Sequence, residues 1–425
     1  MREKLSIYVH IPFCVRKCLY CDFLSFNADN ELIESYFFAL GKELSMEARD
    51  YRDYEVISVF IGGGTPSFVD SQYIVKLMAM VKELFNVRED AEITIEANPA
   101  SALYKKLVDY RKAGINRLSI GAQSLDDDEL KKLGRVHDSR MFYETFENAR
   151  KAGFDNVNID VMSALPGQSL ESYLDTLRKV TDLRPEHISA YSLIVEEGTP
   201  FFDMELNLPD EDTDRRMYHE TLRHLSECGY HRYEISNYAL SRLEKTVNGN
   251  NMLPVSAEHI EDGSGNSYIT GHGSRSYECR HNKVYWRRGN YLGVGIGAAS
   301  MVDNMRWNNT RDIKEYIAAM APVRRIESVM HNEGSSGGIE SVRQNVESLD
   351  VDSQMEEFMF LGLRMTEGVS TGRFRELYGR EIEDVYGDVI TKYEKLNLLE
   401  RFGQNLRLTE KGLDVSNTVM ADFLL

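Results

Sequence analysis

Between Ser6 and about Tyr191, short runs of β-branched and apolar residues alternate with longer stretches whose apolar positions recur at helical spacing. Strands are predicted to begin near Ser6, Val56, Ala91, Asn116, Asp155 and Glu186, with amphipathic helices between them, which is the alternation of a parallel sheet. Two helix ends echo each other. Arg111-Lys112-Ala113-Gly114 and Arg150-Lys151-Ala152-Gly153 both close on basic residues and a glycine, which supplies a left-handed cap before the next strand. Six such units give the α/β class of an incomplete (β/α)6 barrel, with functional side chains expected at the C-terminal strand ends.

Beyond the barrel the pattern changes. Pro209 to Cys228 reads as a polar helix, whose His219 and His224 are spaced by five and so do not share a face for a metal. Residues 241–278, rich in glycine and poor in apolar positions, read as a polar insertion, and 332–341 as a second one. From 351 onward helical periodicity returns over Met355–Met365, Thr371–Tyr378 and Glu381–Leu396, before a hairpin over Leu398–Leu408 and a last helix from Thr409. That order is winged-helix-like. The domains are therefore placed at 1–240 (core), 241–278 (insertion), 279–350 (a segment and linker containing the second insertion) and 351–425 (C-terminal helical domain).

Composition narrows the functions. With 425 residues two or three domains are expected, and 68 Asp and Glu against 50 Lys and Arg leave a formal charge of -18. Such a surface repels phosphates, which excludes general binding to nucleic acid or anionic lipid. Residues 351–425 carry 14 Asp or Glu against 9 Lys or Arg, so the winged-helix pattern does not imply DNA binding. This domain is expected to cover the open side of the barrel or to receive a partner. No apolar run approaches a membrane span, so a cytoplasmic chain is expected.

The chemistry begins with cysteine. Three of the five, Cys14, Cys18 and Cys21, occupy eight residues just after the first strand. Thiolates this close suit a soft metal. A 4Fe-4S cluster normally takes four cysteines, so three on one loop leave an iron open to another ligand. A structural zinc would want a fourth Cys or His nearby, and a disulfide would leave an odd thiol. Residue 23 is Phe, and His10 sits inside the apolar run. After the second strand, Gly62-Gly63-Gly64-Thr65-Pro66 is either a flexible turn or a backbone that approaches a ligand and aims its amides at a carboxylate or phosphate. Glu96, Gln123 and Asp160 stand at later strand ends and Arg135 follows a short helix; each also has a plain reading as a loop hydrogen bonder. His281-Asn282-Lys283-Val284-Tyr285-Trp286 reads as a packed strand, or as an axial iron ligand with flat walls for a porphyrin. The glycines of Tyr291 to Ser300 lack a βαβ unit and a downstream acid, so close backbone packing is expected there.

The loop Cys14-x-x-x-Cys18-x-Tyr20-Cys21 resembles the signature of radical S-adenosylmethionine (SAM) proteins, and the preceding Tyr8-Val9-His10-Ile11-Pro12-Phe13 narrows the likeness to the oxygen-independent coproporphyrinogen III oxidase-like group. The resemblance implies that SAM chelates the open iron and is cleaved by one electron to a 5'-deoxyadenosyl radical. It also implies SAM contacts from Tyr8, Tyr20, Gly63, Gly64, Thr65 and Glu96, while residues matching Gln123, Arg135 and Asp160 surround a second SAM in the oxidases. True oxidases usually carry a further cysteine where Phe23 stands, and the HNxxYW pattern is similar to that of the HemW-type heme chaperones, which makes His281, Tyr285 and Trp286 candidate heme contacts. The expected function is heme binding and delivery to a respiratory, membrane-bound hemoprotein, in the cytoplasm or at the inner face of the membrane, with a homodimer among the expected states. The rival is SAM-dependent oxidative decarboxylation of coproporphyrinogen III.

Overall fold

The structure is a computed structural model that describes residues 2–241, 276–321 and 338–425, with the backbone of four short strands between 243 and 271. Six parallel strands form its centre: β1 (Lys4–Ile11), β2 (Glu55–Gly63), β3 (Asn86–Ala97), β4 (Arg117–Gln123), β5 (Val157–Ser163) and β6 (His187–Ser192). The crossover helices are α1 (Asn30–Tyr51), α2 (Ser71–Leu84), α3 (Tyr104–Lys112), α4 (Asp127–Lys132), α5 (Ser139–Lys151) and α6 (Leu170–Asp182). The two echoed helix ends work as expected. Gly114 and Gly153 take φ of +91° and +90°, and Arg111 and Arg150 each donate to the carbonyl four residues on, of Ile115 and Phe154.

The strands alternate apart from register shifts at Leu5/Ser6, Val56/Ser58 and Gly121/Gln123, and the alternation decides what the barrel holds. Leu5, Ile7, Val9 and Ile11 of β1, and Leu118 and Ile120 of β4, are fully buried in the core shared with the helices. The opposite set faces inward and is polar: Ser6, Ser58, Thr94, Arg117, Ser119, Asn158, Asp160 and Ser189. Interiors of such barrels are usually filled by branched apolar layers. This one is lined by polar side chains.

Among the described residues the sheet is open, without barrel closure, and it continues past both ends of the six strands. After α7 (Glu211–Glu227), β7 (Tyr230–Arg232) and β8 (Asn237–Leu240) extend it beyond β6. Where the sequence reads as an insertion, β9 (Leu243–Glu244) pairs with β10 (Leu253–Pro254), and β11 (Ala257–Glu261) with β12 (Ser267–Gly271). The rest of 242–275, and 322–337, which includes the first part of the second expected insertion, lie outside the described residues. Next comes α8 (Arg280–Trp286), a helix where the sequence suggested a strand. It is followed by β13 (Tyr291–Val294), β14 (Ala299–Val302), β15 (Met305–Asn309), α9 (Ile313–Met320), α10 (Ile339–Val342) and β16 (Arg343–Ser348). β13 runs parallel to β1 and the next three add to it antiparallel, so the expected linker is instead part of the sheet. The expected close packing also holds: a Cβ on Gly293 would lie 2.2 Å from the Ala299 carbonyl oxygen.

The C-terminal unit comprises α11 (Val351–Gly362), β17 (Val369–Ser370), α12 (Thr371–Tyr378), α13 (Ile382–Lys395), β18 (Leu399–Phe402), β19 (Asn405–Leu408), α14 (Glu410–Asp414) and α15 (Ser416–Ala421), around a core of its own. It does not cover the mouth of the barrel. α11 packs against α8, Met365 joins Tyr233, Cys279 and Trp286, and no residue after 350 lines either of the two cavities described below.

Candidate functional site

The cysteine loop leaves the C-terminal end of β1 and is tied down by backbone bonds, Cys14 N to Phe26 O at 3.0 Å and Phe26 N to Pro12 O at 2.9 Å. The loop side chain Asn27 donates to the Val15 carbonyl at 2.9 Å. All three thiols are free and line one cavity of about 440 Å³. Among the described residues no group of three His, Cys, Asp or Glu side chains is placed to hold a single metal ion. Burial pushes the Cys14 and Cys21 thiols up, against hydrogen bonds from the Thr65 and Ser25 hydroxyls to Cys14 and from the Phe23 amide to Cys21. Cys14 Sγ lies 3.2 Å from Thr65 Oγ1, and Arg135 Nη1 lies 3.6 Å from Cys18 Sγ. Soft donors ringed by hydroxyls, an amide and a guanidinium fit an anionic cluster.

The three glycines answer to packing. A Cβ at Gly62 would lie 2.8 Å from Glu96 Oε2, at Gly64 2.9 Å from the Ile11 carbonyl oxygen, and at Gly63 2.4 Å from the His10 ring, where φ is +110°. Three successive amides of the loop are spent as well: Gly63 N donates to Glu96 Oε2 (3.0 Å), Gly64 N to Ile11 O (2.8 Å) and Thr65 N to Phe13 O (2.9 Å). The expected amide cradle for an anion is therefore absent from this loop.

Opposite the thiols, Glu96 and Asp160 share the cavity. Burial, and then the charge of Asp160, lift Glu96 to about 7, while the Gly63 amide draws it down. Burial also raises Asp160, against hydrogen bonds from Asn158 (2.7 Å) and Ser119 (3.3 Å). Two carboxylates in one cavity favour a cation between them. Gln123 sits at the end of β4 with φ of +68°, a conformation costly for a side-chain residue, and accepts from Tyr191 Oη at 3.0 Å. Arg135 is pinned by donation to the Gly121 carbonyl at 2.7 Å and reaches Tyr20 Oη at 3.5 Å, while Tyr20 lies against Phe201. The structure thus brings Cys14, Cys18, Cys21, Tyr20, Gly63, Gly64, Thr65, Glu96, Gln123, Arg135 and Asp160 to one cavity.

Tyr8 is elsewhere. It lines a second cavity of about 360 Å³ with His10, Phe23, Tyr285, Tyr291 and Arg311, and lies 3.0 Å from His10 Nδ1. Between the cavities stands α8, which closes the base of the barrel. Its start is fixed by Glu92, which accepts from the amides of Arg280 (3.0 Å) and His281 (3.1 Å). His281 is 2 % exposed and engaged at both nitrogens, Nδ1 with Ser58 Oγ (3.0 Å) and Nε2 with Tyr285 Oη (2.9 Å). Burial and the nearby Arg117 charge hold its pKa at about 3, so the imidazole is neutral. As placed, it presents no lone pair to either cavity. Trp286 turns the other way, with Arg364 4.3 Å above its ring. The sequence reading missed Arg117, Ser119, Asn158, Ser189 and Asn282, all lining the first cavity; inward alternation along β4, β5 and β6 was the available signal for the first four.

Comparison with known proteins follows the same lines. A family model for the radical SAM superfamily matches residues 8–180, and one for the HemN C-terminal domain matches 349–415. The heme chaperone HemW of Bacillus subtilis (strain 168) is 32% identical, covering 99% of this chain and 99% of its own. HemW of Escherichia coli (strain K12) is 32% identical over 94% of this chain and 98% of its own. The mitochondrial radical S-adenosyl methionine domain-containing protein 1 of Danio rerio is 31% identical over 99% and 87%. Among solved structures, coproporphyrinogen III oxidase (HemN) from Escherichia coli matches 100% of this chain and 90% of its own with a TM-score of 0.77 and 21% identity, a likeness of fold.

Proposed function

From the premise that this chain belongs to the HemW family of radical SAM heme chaperones, we propose that it binds a 4Fe-4S cluster, SAM and heme, and delivers the heme to respiratory hemoproteins. The observation that carries the reading is the meeting of three free thiols with two half-buried carboxylates in one cavity. Cys14, Cys18 and Cys21 would hold the cluster by one sulfur per iron, leaving one iron for SAM. Bound there, the reduced cluster supplies a single electron to the sulfonium of SAM. The residues around it set charge and position. Arg135 offsets the negative charge gathered at Cys18, the Gly63-Gly64 carbonyls receive an ammonium, and Glu96 and Asp160 face the cationic ligand with Gln123 beside them. Tyr20 and Thr65 brace the thiols.

Heme is assigned to α8. His281 is already neutral, which is the form that ligates iron, and it becomes a ligand when Nε2 exchanges the Tyr285 hydroxyl for the metal. Phe23, 68% exposed where the oxidases usually carry a cysteine, lies between the two cavities. Among the described residues no helix is long and apolar enough to cross a membrane. A cytoplasmic protein, as a monomer or homodimer, meeting a membrane-bound acceptor at the inner face, is the setting this reading implies. The test is one anaerobic experiment with SAM, reductant and coproporphyrinogen III, followed by heme titration. The chaperone reading expects a Soret shift without turnover; formation of protoporphyrinogen would reject it in favour of the oxidase.

A further inference from the structure

Arg117 holds no partner in the site described so far, its effect there being the charge it places near His281. It is 2% exposed at the start of β4, yet it lines the cluster cavity, and the strand rise of about 3.3 Å per residue puts its Cα roughly 13 Å deeper than Gly121. Its Nε is a buried donor without a partner, and among the described residues the guanidinium makes no hydrogen bond or ion pair. The two carboxylates whose charge it feels are occupied. Glu92 serves the amides of Arg280 and His281 and the Cys279 thiol, and Asp160 takes Asn158 and Ser119. The Asn282 side-chain amide and the Ser236 hydroxyl line the same cavity, also without hydrogen-bond partners among the described residues.

A buried cation left unpaired is costly, and a guanidinium offers parallel N–H groups spaced for two oxygens of a planar anion. Glu96 and Asp160 in the same cavity oppose a dianion such as phosphate, which leaves a singly charged acid. We propose that the base of the cluster cavity is a carboxylate-binding subsite, anchored by Arg117 and flanked by Asn282 and Ser236. The subsite receives a propionate arm of the tetrapyrrole, a choice of ligand that rests on the heme reading; the other source of the same chemistry is the carboxylate of SAM. Asn282 then has a task distinct from that of its neighbour His281.

The test uses the full chain with its cluster reconstituted anaerobically, titrated with heme, with heme dimethyl ester and with SAM, in wild type and Arg117→Gln. Wild type is expected to prefer heme to its ester by about tenfold, and Arg117→Gln to lose most of that preference. A fall of about tenfold in SAM affinity in the variant, with the heme preference intact, supports the subsite with SAM as its occupant. Equal affinity of wild type for acid and ester, together with unchanged SAM affinity in the variant, overturns it. Wild type that binds neither porphyrin rejects the chaperone reading, and the SAM arm then decides the subsite by itself. Should Arg117→Gln fail to fold, Arg117→Lys, which keeps the charge and loses the fork, takes its place.

Discussion

At the scale of single residues, two ionisable groups carry the account. Burial lifts Glu96 from its ordinary 4.5 to about 7, so its neutral form is favoured in the folded chain. The stability it contributes is fully present below about pH 4.5 and is lost as pH rises through about 7. Glu96→Gln is expected to flatten the melting temperature of the ligand-free protein across that window. A cationic ligand should prefer the ionised carboxylate, so SAM affinity is expected to rise by up to about tenfold from pH 6 to pH 8 in wild type and to stay level in the variant; isothermal titration measures both. For His281, the proposed exchange at Nε2 makes Tyr285→Phe and His281→Ala differ. Removing the competing hydroxyl should strengthen heme binding severalfold, whereas removing the imidazole should abolish the Soret shift. A loss in Tyr285→Phe equal to that in His281→Ala would mean that the pair only holds α8 in place.

At the scale of elements, the turn after β13 shows how closely the loops are fitted. Gly295 takes φ of +96°, and a Cβ there would lie 2.4 Å from Tyr36 Oη and 2.8 Å from the His10 carbonyl oxygen. Gly295→Ala is expected to cost roughly 2–4 kcal/mol in urea unfolding, against about 1 kcal/mol for Gly198→Ala, which has a similar φ of +84° and open space around it. How far elements could be read from sequence depended on how local their causes are. The six parallel strands were legible from buried runs and from glycine caps such as Gly114 and Gly153. α8 was not, because Val284-Tyr285-Trp286 is β-prone and the helix start is fixed by Glu92 from β3. β13 to β16 were missed for a related reason. Each has four to six residues, and β16 pairs with β15 only across residues 322–337. At the site the thiols and strand-end acids were visible in order, but the use of the glycines depends on what faces them, Glu96 and His10, and that is a property of the fold.

At the scale of the whole molecule, the cavity opens at the C-terminal strand ends while the C-terminal unit buttresses α8 at the base. Their junction includes Glu357, which is 8% exposed and accepts from Arg288 Nε at 2.9 Å and Arg306 Nη1 at 2.5 Å. Glu357→Ala leaves the half-buried Arg288 without its carboxylate, with only the Asn304 side-chain oxygen as acceptor, so a loss of roughly 3 kcal/mol and protease cleavage near residue 350 are expected. Because α8 carries His281, the same variant should weaken heme binding while sparing the cluster. The proposed division, with cluster and SAM chemistry at the mouth and heme held over a buttressed base, depends on the three thiols. The most direct measurement is iron and sulfide analysis of anaerobically reconstituted protein, with electron paramagnetic resonance of the reduced cluster before and after SAM. About four irons and four sulfides per chain are predicted, with a signal that SAM alters and that vanishes when Cys14, Cys18 and Cys21 become serine. Protein without iron or sulfide, or serine variants that keep the same signal, would contradict the account.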